Sequence, residues 1–517
     1  MSLINGCAPA SRRSFGVPAL DPENSVIAVV SFEGPDRYSQ AGGLGVRVTG
    51  LVHSLAGLGF ETHLFFIGDP ALPPVERVGD GRLVLHRWSQ WISANCRRGV
   101  YDGELAKVAD LTASLPPVLI DQVVQPALGA GKIPILLFEE WQTAACVSRV
   151  SGMLSAAAIR DRTLVAWNAN HCYGFERIDW SGLATAAMIT TVSRHMRSIV
   201  RACGADARVI PNGIPESALE PVARREVSAV RAATSAHRDA GLCFKMARWE
   251  REKGWAQALD AVTHLRDRAR PMMLVARSGG PSGSGGELAH DAEARGLRLV
   301  SFDSEAAFVA GLGDGARDGA DVVNLRFGVS ASLARTLYAA SDGVLANSVS
   351  EPFGLVGLEA MAAGGVAYTG GTGEDYAIAG RNAIVLETLD PGEIIRHWEE
   401  LASSPETVSR LRREARKTAR EYEWRSVIAI LIDALERQAH RRGLIAGAVR
   451  DITSIRRPGA ARADDRRRPA EHGRGGARGA SRDKGVRAPA TGPVDLPHRA
   501  TWPAALSGRE RAAPARG

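Results

Sequence analysis

The stretch Ser350-Glu351-Pro352-Phe353-Gly354-Leu355-Val356-Gly357-Leu358-Glu359-Ala360-Met361-Ala362 decides how the fold is read. Two glutamates stand with seven residues between them, the first followed by a Pro-Phe-Gly turn and the second carried on an apolar, helix-forming run. Upstream, residues 343–347 (GVLAN) form a strand-like run, so the acidic loop lies between a strand's C-terminal end and a helix's start. In an open parallel sheet, ligands bind at that edge. A helix start also offers unpaired N–H groups and the positive end of a dipole, which suit a phosphate. The backbone of Phe353, Gly354 and Leu355 is thus a candidate diphosphate cradle. Glu359, one turn into the helix, can accept both hydroxyls of a ribose, and Glu351, at the loop's entrance, can accept those of a sugar. The plain alternative is an ordinary turn with two solvated acids, and the rest of the chain must decide.

The N-terminal half repeats the pattern. Residues 25–32 (SVIAVVSF) are the continuous β-branched run of a buried parallel strand. A polar loop leads to Ala41-Gly42-Gly43-Leu44-Gly45, after which Val48, Leu51, Val52, Leu55 and Leu58 fall at helical spacing. Residues 62–67 (THLFFI) read as the next strand. Gly42, Gly43 and Gly45 let bare backbone approach an anion, although a Gly-Gly pair also makes a plain tight turn. The loop is not a G-x-G-x-x-G fingerprint, so hydride transfer is not the first expectation. Residues 118–120, after Pro116-Pro117, and 133–138 are further strand candidates. Trp88, Trp91, Trp141, Trp167 and Trp180 crowd this half, either as core or as a sugar-stacking surface for an acceptor. A strand at 164–167 opens into a loop holding His171, and a lone histidine there is commonly structural.

Farther on, residues 242–249 form a strand ending in Arg248, with Lys253 five positions later at a helix start. A planar guanidinium fork and a compact ammonium placed this way can grip one diphosphate. Strands at 272–275, 297–302 and 364–369 follow, with a loop-like 281–286 between the first two. Helices are expected at about 391–404 and 405–445.

These segments resemble the retaining glycosyltransferases of the GT-B fold, family 4 in particular, with their glycogen and starch synthase relatives. The Glu-x7-Glu signature with Pro-Phe-Gly-Leu, the Arg248-x4-Lys253-Gly254 step, residues 210–213 (IPNG) and the Gly42-Gly43-Leu44-Gly45 loop carry the likeness, clearest over 208–375. The resemblance implies an α/β chain of two Rossmann-like domains facing a cleft. It implies the catalytic set His171, Arg248, Lys253 and Glu351, and a donor site of Gly42, Gly43, Gly45, Phe353, Gly354, Leu355 and Glu359. His171 would lie beside the donor sugar. The diphosphate itself would take the acceptor's proton on the same face, with no carboxylate nucleophile. The family's lysine before the glycine loop is replaced by Gln40, and its Gly-x-Gly after 275 by Arg277 and Ser278.

The implied organisation is a flexible leader (1–23), an acceptor-side domain (24–213), a nucleotide-sugar domain (214–420), a helix crossing back (421–450) and a disordered basic tail (451–517). Composition agrees with a soluble globular protein: 45% apolar and 23% charged residues over 517 positions. The tail holds 15 Lys/Arg against 7 Asp/Glu, a net +8 that leaves the first 450 residues at −1 of the chain's +7. Such a tail suits RNA, an acidic partner or an anionic membrane surface, or is an extension without function. Six scattered cysteines without a Cys-x-x-Cys pair indicate reduced thiols and a cytoplasmic protein. No apolar run approaches the roughly 18–20 residues of a membrane span. No Asp-x-Asp stands at a strand end, so neither metal nor cofactor is expected beside the nucleotide-sugar co-substrate. The expected reaction is sugar transfer from a nucleoside-diphosphate sugar to a hydroxyl of a glycan, lipid or small molecule. A sugar-nucleotide epimerase, a pyridoxal-dependent glucan phosphorylase and a non-catalytic sugar-nucleotide or polyanion binder are the alternatives.

Overall fold

Strands covered by helices on both faces carry continuous apolar runs, because neither face meets water. The computed structural model describes residues 19–235, 240–279, 286–311 and 319–445. The expected leader up to residue 18, the loop 281–285 and the tail 451–517 lie outside the described residues. The first sheet is built from β1 (Ser25–Val30), β2 (Glu61–Ile67), β3 (Val75–Val78), β4 (Leu83–Trp88), β5 (Ile133–Glu139), β6 (Leu164–Ala169), β7 (Met188–Thr191) and β8 (Arg208–Val209). Their order is β3-β4-β2-β1-β5-β6-β7-β8, parallel throughout except for the β3–β4 edge. Every residue of β1 and of β5 is buried.

The second sheet comprises β9 (Gly241–Arg248), β10 (Met272–Gly279), β11 (Leu299–Phe302), β12 (Val322–Leu325), β13 (Gly343–Ala346), β14 (Ala367–Thr369) and β15 (Ile384–Val385). It is wholly parallel, in the order β11-β12-β10-β9-β13-β14-β15. In both sheets the chain starts in the middle, builds one side and then crosses to the other. The crevice of each doubly wound sheet therefore opens between β1 and β5 and between β9 and β13. The registers Val30↔Phe138 and Val344↔Phe244 fix those two pairs.

The chain leaves the first sheet at Ile214 and returns beside it. Ile214 N–H donates to Tyr422 O at 2.9 Å, and Trp424 N–H to Ile214 O at 3.0 Å. The Trp424 indole lies so close to Gly50 and Gly213 that a Cβ on either would sit 2.3 or 2.4 Å from a ring atom. Beyond it, the helix Trp424–Arg441 buries Val427, Ile428, Leu431 and Leu435 against Leu51, Val52 and Leu55 of the helix Gly43–Gly57.

Two expectations need correction. Residues 118–120 are not a strand. The helix Glu104–Leu119 runs through Pro116 and Pro117 and passes into a π-helical turn, Ile120–Val124. Fully buried Leu111, Leu115 and Leu119 form one stripe whose packing outweighs the two missing N–H donors. The helical run expected over 405–445 is two helices, Pro405–Arg420 and Trp424–Arg441, because the bridge from Ile214 to Glu423 takes the backbone groups between them. β3, β4, β12 and β15 had no reading from sequence at all. Among the described residues, no helix is long and apolar enough to cross a membrane.

Candidate active site

β9 and β13 are neighbours, so the loops at their C-terminal ends meet. Lys253 Nζ donates to Glu351 Oε2 at 2.7 Å, with the two side chains 15% and 20% exposed. The Lys253 turn is locked from behind. Val349 N–H donates to Glu252 O at 2.8 Å. Gly254 has φ +65°, and a Cβ there would lie 2.4 Å from Asn347, so only glycine serves. Asn347 Nδ2 donates to Gly254 O and to Gln257 Oε1, at 3.1 and 2.8 Å. Its Oδ1 accepts from Lys245 Nζ at 2.5 Å. Lys245 is buried in β9 with its ammonium 5.0 Å from the centre of the Trp255 ring. Burial pulls its pKa down to about 7, with Lys253 acting the same way and Cys243 and Glu351 opposing. The Asn347 carbonyl and the indole face also favour the charged form. A lone lysine inside LCFKMA was the only sign of this network in the sequence.

The helix Leu355–Ala363 begins at Gly354 without a side-chain cap, leaving its first-turn N–H groups to face a ligand. The Phe353 ring turns inward onto Tyr376 and Tyr422, at 5.8 and 6.2 Å, so only its backbone is offered. Glu359 is half-buried and accepts from Tyr338 Oη at 3.2 Å, and burial raises its pKa to about 7. Beneath Gly354 lies Glu374, which the sequence reading passed over inside a glycine-rich loop. A Cβ on Gly354 would sit 2.5 Å from its Oε1, both its oxygens lack partners, and burial holds its pKa well above the usual range. A protonated Glu374 is a hydrogen-bond donor aimed at this loop.

On the first sheet, the loop after β1 is already filled. Glu33 Oε2 accepts from Ala41 N, Gly42 N and Gly45 N, each at 3.0 Å, while Tyr101 Oη donates to its Oε1 at 2.5 Å. The amides of Gly42 and Gly45, expected to cradle a diphosphate, are thus spent on the chain's own carboxylate. A Cβ on Gly45 would come within 2.9 Å of Glu33, whereas one on Gly42 or Gly43 would meet nothing within 4 Å. Gly45 is there to admit Glu33, and Gly42 and Gly43 have open space beside their Cα atoms.

His171 follows β6, beside the end of β5. There Glu140 is fully buried with φ +69°, a strained conformation for a side-chain-bearing residue. Its Oε1 accepts from Asn170 N and His171 N at 2.5 and 3.2 Å. His171 Nδ1 accepts from Tyr173 N–H at 3.2 Å and lies 3.3 Å from Glu140 Oε2. With Nδ1 accepting, the neutral ring carries its proton on Nε2. Burial raises Glu140 to about 8 and lowers His171 to about 4. The second cause of the histidine's shift is the charge of Arg248, whose side chain is 64% exposed and pairs with Glu250 at 3.1 Å. A loop of the first sheet therefore feels the basic turn of the second. Cys172 likewise feels Glu252. Two adjacent carboxylates ending a central strand could have pointed to Glu140. The tryptophans are mostly core: Trp167 is wholly buried, Trp141 is buried under Arg177 at 4.7 Å, and Trp91 is exposed. Among the described residues, no three His, Cys, Asp or Glu side chains are grouped to hold a metal ion.

Two doubly wound α/β sheets, with a basic and an acidic turn at the crevice of the second and a histidine loop on the first, have the architecture of the GT-B fold. Residues 316–418 match the model of the family described as Glycosyl transferases group 1. Over 422 residues the chain is 27% identical to a D-inositol 3-phosphate glycosyltransferase of Streptomyces bingchenggensis, covering 76% of this chain and 84% of the relative. In fold it is similar to the catalytic domain of Starch Synthase IV from Arabidopsis thaliana bound to ADP and acarbose (TM-score 0.57, 17% identity, 83% and 99% of the two chains). It is also similar to Anabaena HepE in complex with UDP (TM-score 0.54, 12% identity, 80% and 100%). The chain is a glycosyltransferase of the GT-B fold.

Proposed function

We propose that the protein transfers a glycosyl group from a nucleoside-diphosphate sugar to an acceptor hydroxyl with retention of configuration, as a family 4 enzyme of the cytoplasm. The observation that carries this reading is the Lys253–Glu351 pair at the uncapped start of the Leu355–Ala363 helix, with Arg248 within electrostatic reach of His171. The diphosphate meets the N–H groups of Gly354 and Leu355, the guanidinium of Arg248 and the ammonium of Lys253, which stabilise the charge that grows as the anomeric C–O bond breaks. The acceptor oxygen bonds to the same face of that carbon, and its proton passes to the leaving diphosphate oxygen. Glu351 orients the sugar hydroxyls, Glu359 takes the ribose, and His171, neutral, donates from Nε2. Fixed cations do the work, so neither metal nor cofactor enters the step.

The names of the similar proteins choose the first substrates to try. UDP- and ADP-sugars are the donors, and a phosphorylated polyol such as inositol 3-phosphate is the first acceptor. Transfer is measured with each donor, and the anomeric configuration of the product is read by NMR. Lys253→Ala and Glu351→Ala should each lower kcat by about 100-fold or more while circular dichroism is unchanged, as for loss of one preorganised transition-state contact. Turnover near wild type in either variant, or an inverted product, refutes the assignment.

A further inference from the structure

Between β14 and β15 the chain passes through Thr372 to Tyr376, and these residues touch the acidic loop at every step but one. Thr372 Oγ1 accepts from Glu351 N–H at 3.0 Å. Gly373 has φ +75°, and a Cβ there would overlap the Glu351 carbonyl. Glu374 lies beneath Gly354, and Tyr376 Oη donates to the Gly354 carbonyl. Asp375 is the exception and turns the other way. Its Oδ2 accepts from Arg194 N–H at 2.8 Å, and its Oδ1 lies 3.2 Å from Arg194 Nε.

Arg194 opens the helix Arg194–Ala202 of the first domain, whose Ser193 cap accepts from Met196 N–H at 3.1 Å. First-turn N–H groups have no partner inside a helix. Asp375 takes one that Ser193 does not, and its charge suits the positive end of the dipole. The guanidinium adds little, because the Arg194 side chain is 78% exposed and exposed ion pairs are screened. The backbone contact is the firm one. This helix follows β7, whose Thr191 pairs with Ala169 of β6, two positions before His171. The contact therefore ties the segment that supports Glu351 and Gly354 to the sheet end that carries His171. The plain alternative is a surface ion pair between two mobile side chains. Here one end is backbone, and the other is flanked on both sides by residues that grip the acidic loop.

We propose that Asp375 is a positioning residue, which fixes the acidic loop of the second sheet against the histidine loop of the first so that a sugar held at Glu351 meets His171. Its consequence for turnover rests on the transfer reading above; the coupling itself rests on the contacts alone.

Asp375→Ala and Arg194→Pro break the contact from its two ends in the full-length protein. Proline is favoured at the first position of a helix, and Ser193, at φ −150° and ψ 167°, is already extended as a residue before proline must be. Each variant should lower kcat for sugar transfer about tenfold or more. The KM of the donor, which is held by the second sheet, should stay within about twofold. The double variant should be no slower than either single one, and Asp375→Asn, which keeps an acceptor, should restore part of the rate. Hydrogen exchange needs no substrate: the amides of residues 351–355 and of the first turn of the Arg194–Ala202 helix should exchange faster together, by about tenfold, while the β9 amides keep wild-type protection. Additive losses, a raised donor KM with kcat intact, or faster exchange on one side alone overturns the proposal. If the wild type transfers sugar from no donor, the transfer reading fails, and the exchange measurement still decides the coupling.

Discussion

Lys245→Met tests the buried support of the Lys253 turn. In the unfolded chain a lysine titrates near 10.5, and in the fold Lys245 titrates near 7. The unfolded state therefore binds more protons between those values, so stability rises with pH across that window. The full shift is worth about 5 kcal/mol, and about 3 kcal/mol of it is recovered on going from pH 7 to 9.5. Methionine keeps the length and apolar body of the side chain but cannot titrate. It leaves Asn347 Oδ1 unpaired, a loss of about 1–3 kcal/mol that does not change with pH. The stability difference between variant and wild type should thus shift by about 3 kcal/mol in favour of the wild type as pH rises from 7 to 9.5. Because a two-domain chain need not unfold in one step, the measurement is hydrogen exchange of the β9 amides at the two pH values, corrected for intrinsic rates. Parallel behaviour of the two proteins would sink the argument. Donor turnover reports the same network: with Asn347 released, Gly254 and Lys253 lose their anchor, and kcat should fall while Lys245→Arg restores part of it.

Three further outcomes follow from the same contacts. His171, with its pKa near 4, is neutral above pH 5; the NMR titration of its ring should show no midpoint between 5.5 and 8, and a midpoint near 6.5 would contradict its burial and the nearness of Arg248. Glu140 has its pKa raised from 4.5 to about 8, so it stabilises the fold below 4.5 and that contribution is lost as pH rises to 8; Glu140→Gln, free of this loss, should gain several kcal/mol relative to wild type between pH 5 and 8.5 in hydrogen exchange of the β5 amides, and no relative gain means the carboxyl is not held neutral. Glu33→Ala frees three loop amides, so its melting temperature should rise more steeply with added phosphate than that of the wild type; equal slopes would mean that the loop closes without its carboxylate.

The acidic loop, the basic turn and the histidine loop were legible because each is continuous in sequence and each sits at a strand end. Their supports were not. Glu33 acts on amides 8 to 12 positions away, Lys245 on an asparagine 102 away, and Glu374 beneath a glycine 20 away. No periodicity encodes such pairings; the sheet order creates them. The same holds for the errors in the fold. Pro116-Pro117 signals a break, yet a buried leucine stripe carries the helix through. The gap at 421–423 is invisible in a run of helix formers, because it is made by a partner, Ile214, more than 200 positions earlier.

The two crevices divide the work by charge. On the first sheet, the loop that resembles an anion cradle holds an internal anion, and Arg47 beneath it is tied to Glu139 at 3.2 Å and to Asn212 at 2.6 Å. On the second sheet, Arg248 is exposed, Lys253 is shared with Glu351, and a helix start stands uncapped. Under the proposed function, an incoming diphosphate would find its countercharge at the turn after β9 and at the start of the Leu355–Ala363 helix, and on the first sheet only the open space beside Gly42 and Gly43 and the neutral histidine ring. A cation engaged by Glu351 in the free protein is held in place rather than left to search. Under the proposed mechanism it already stands where the leaving group would gain charge, so its interaction would strengthen as the anomeric bond breaks rather than on binding alone.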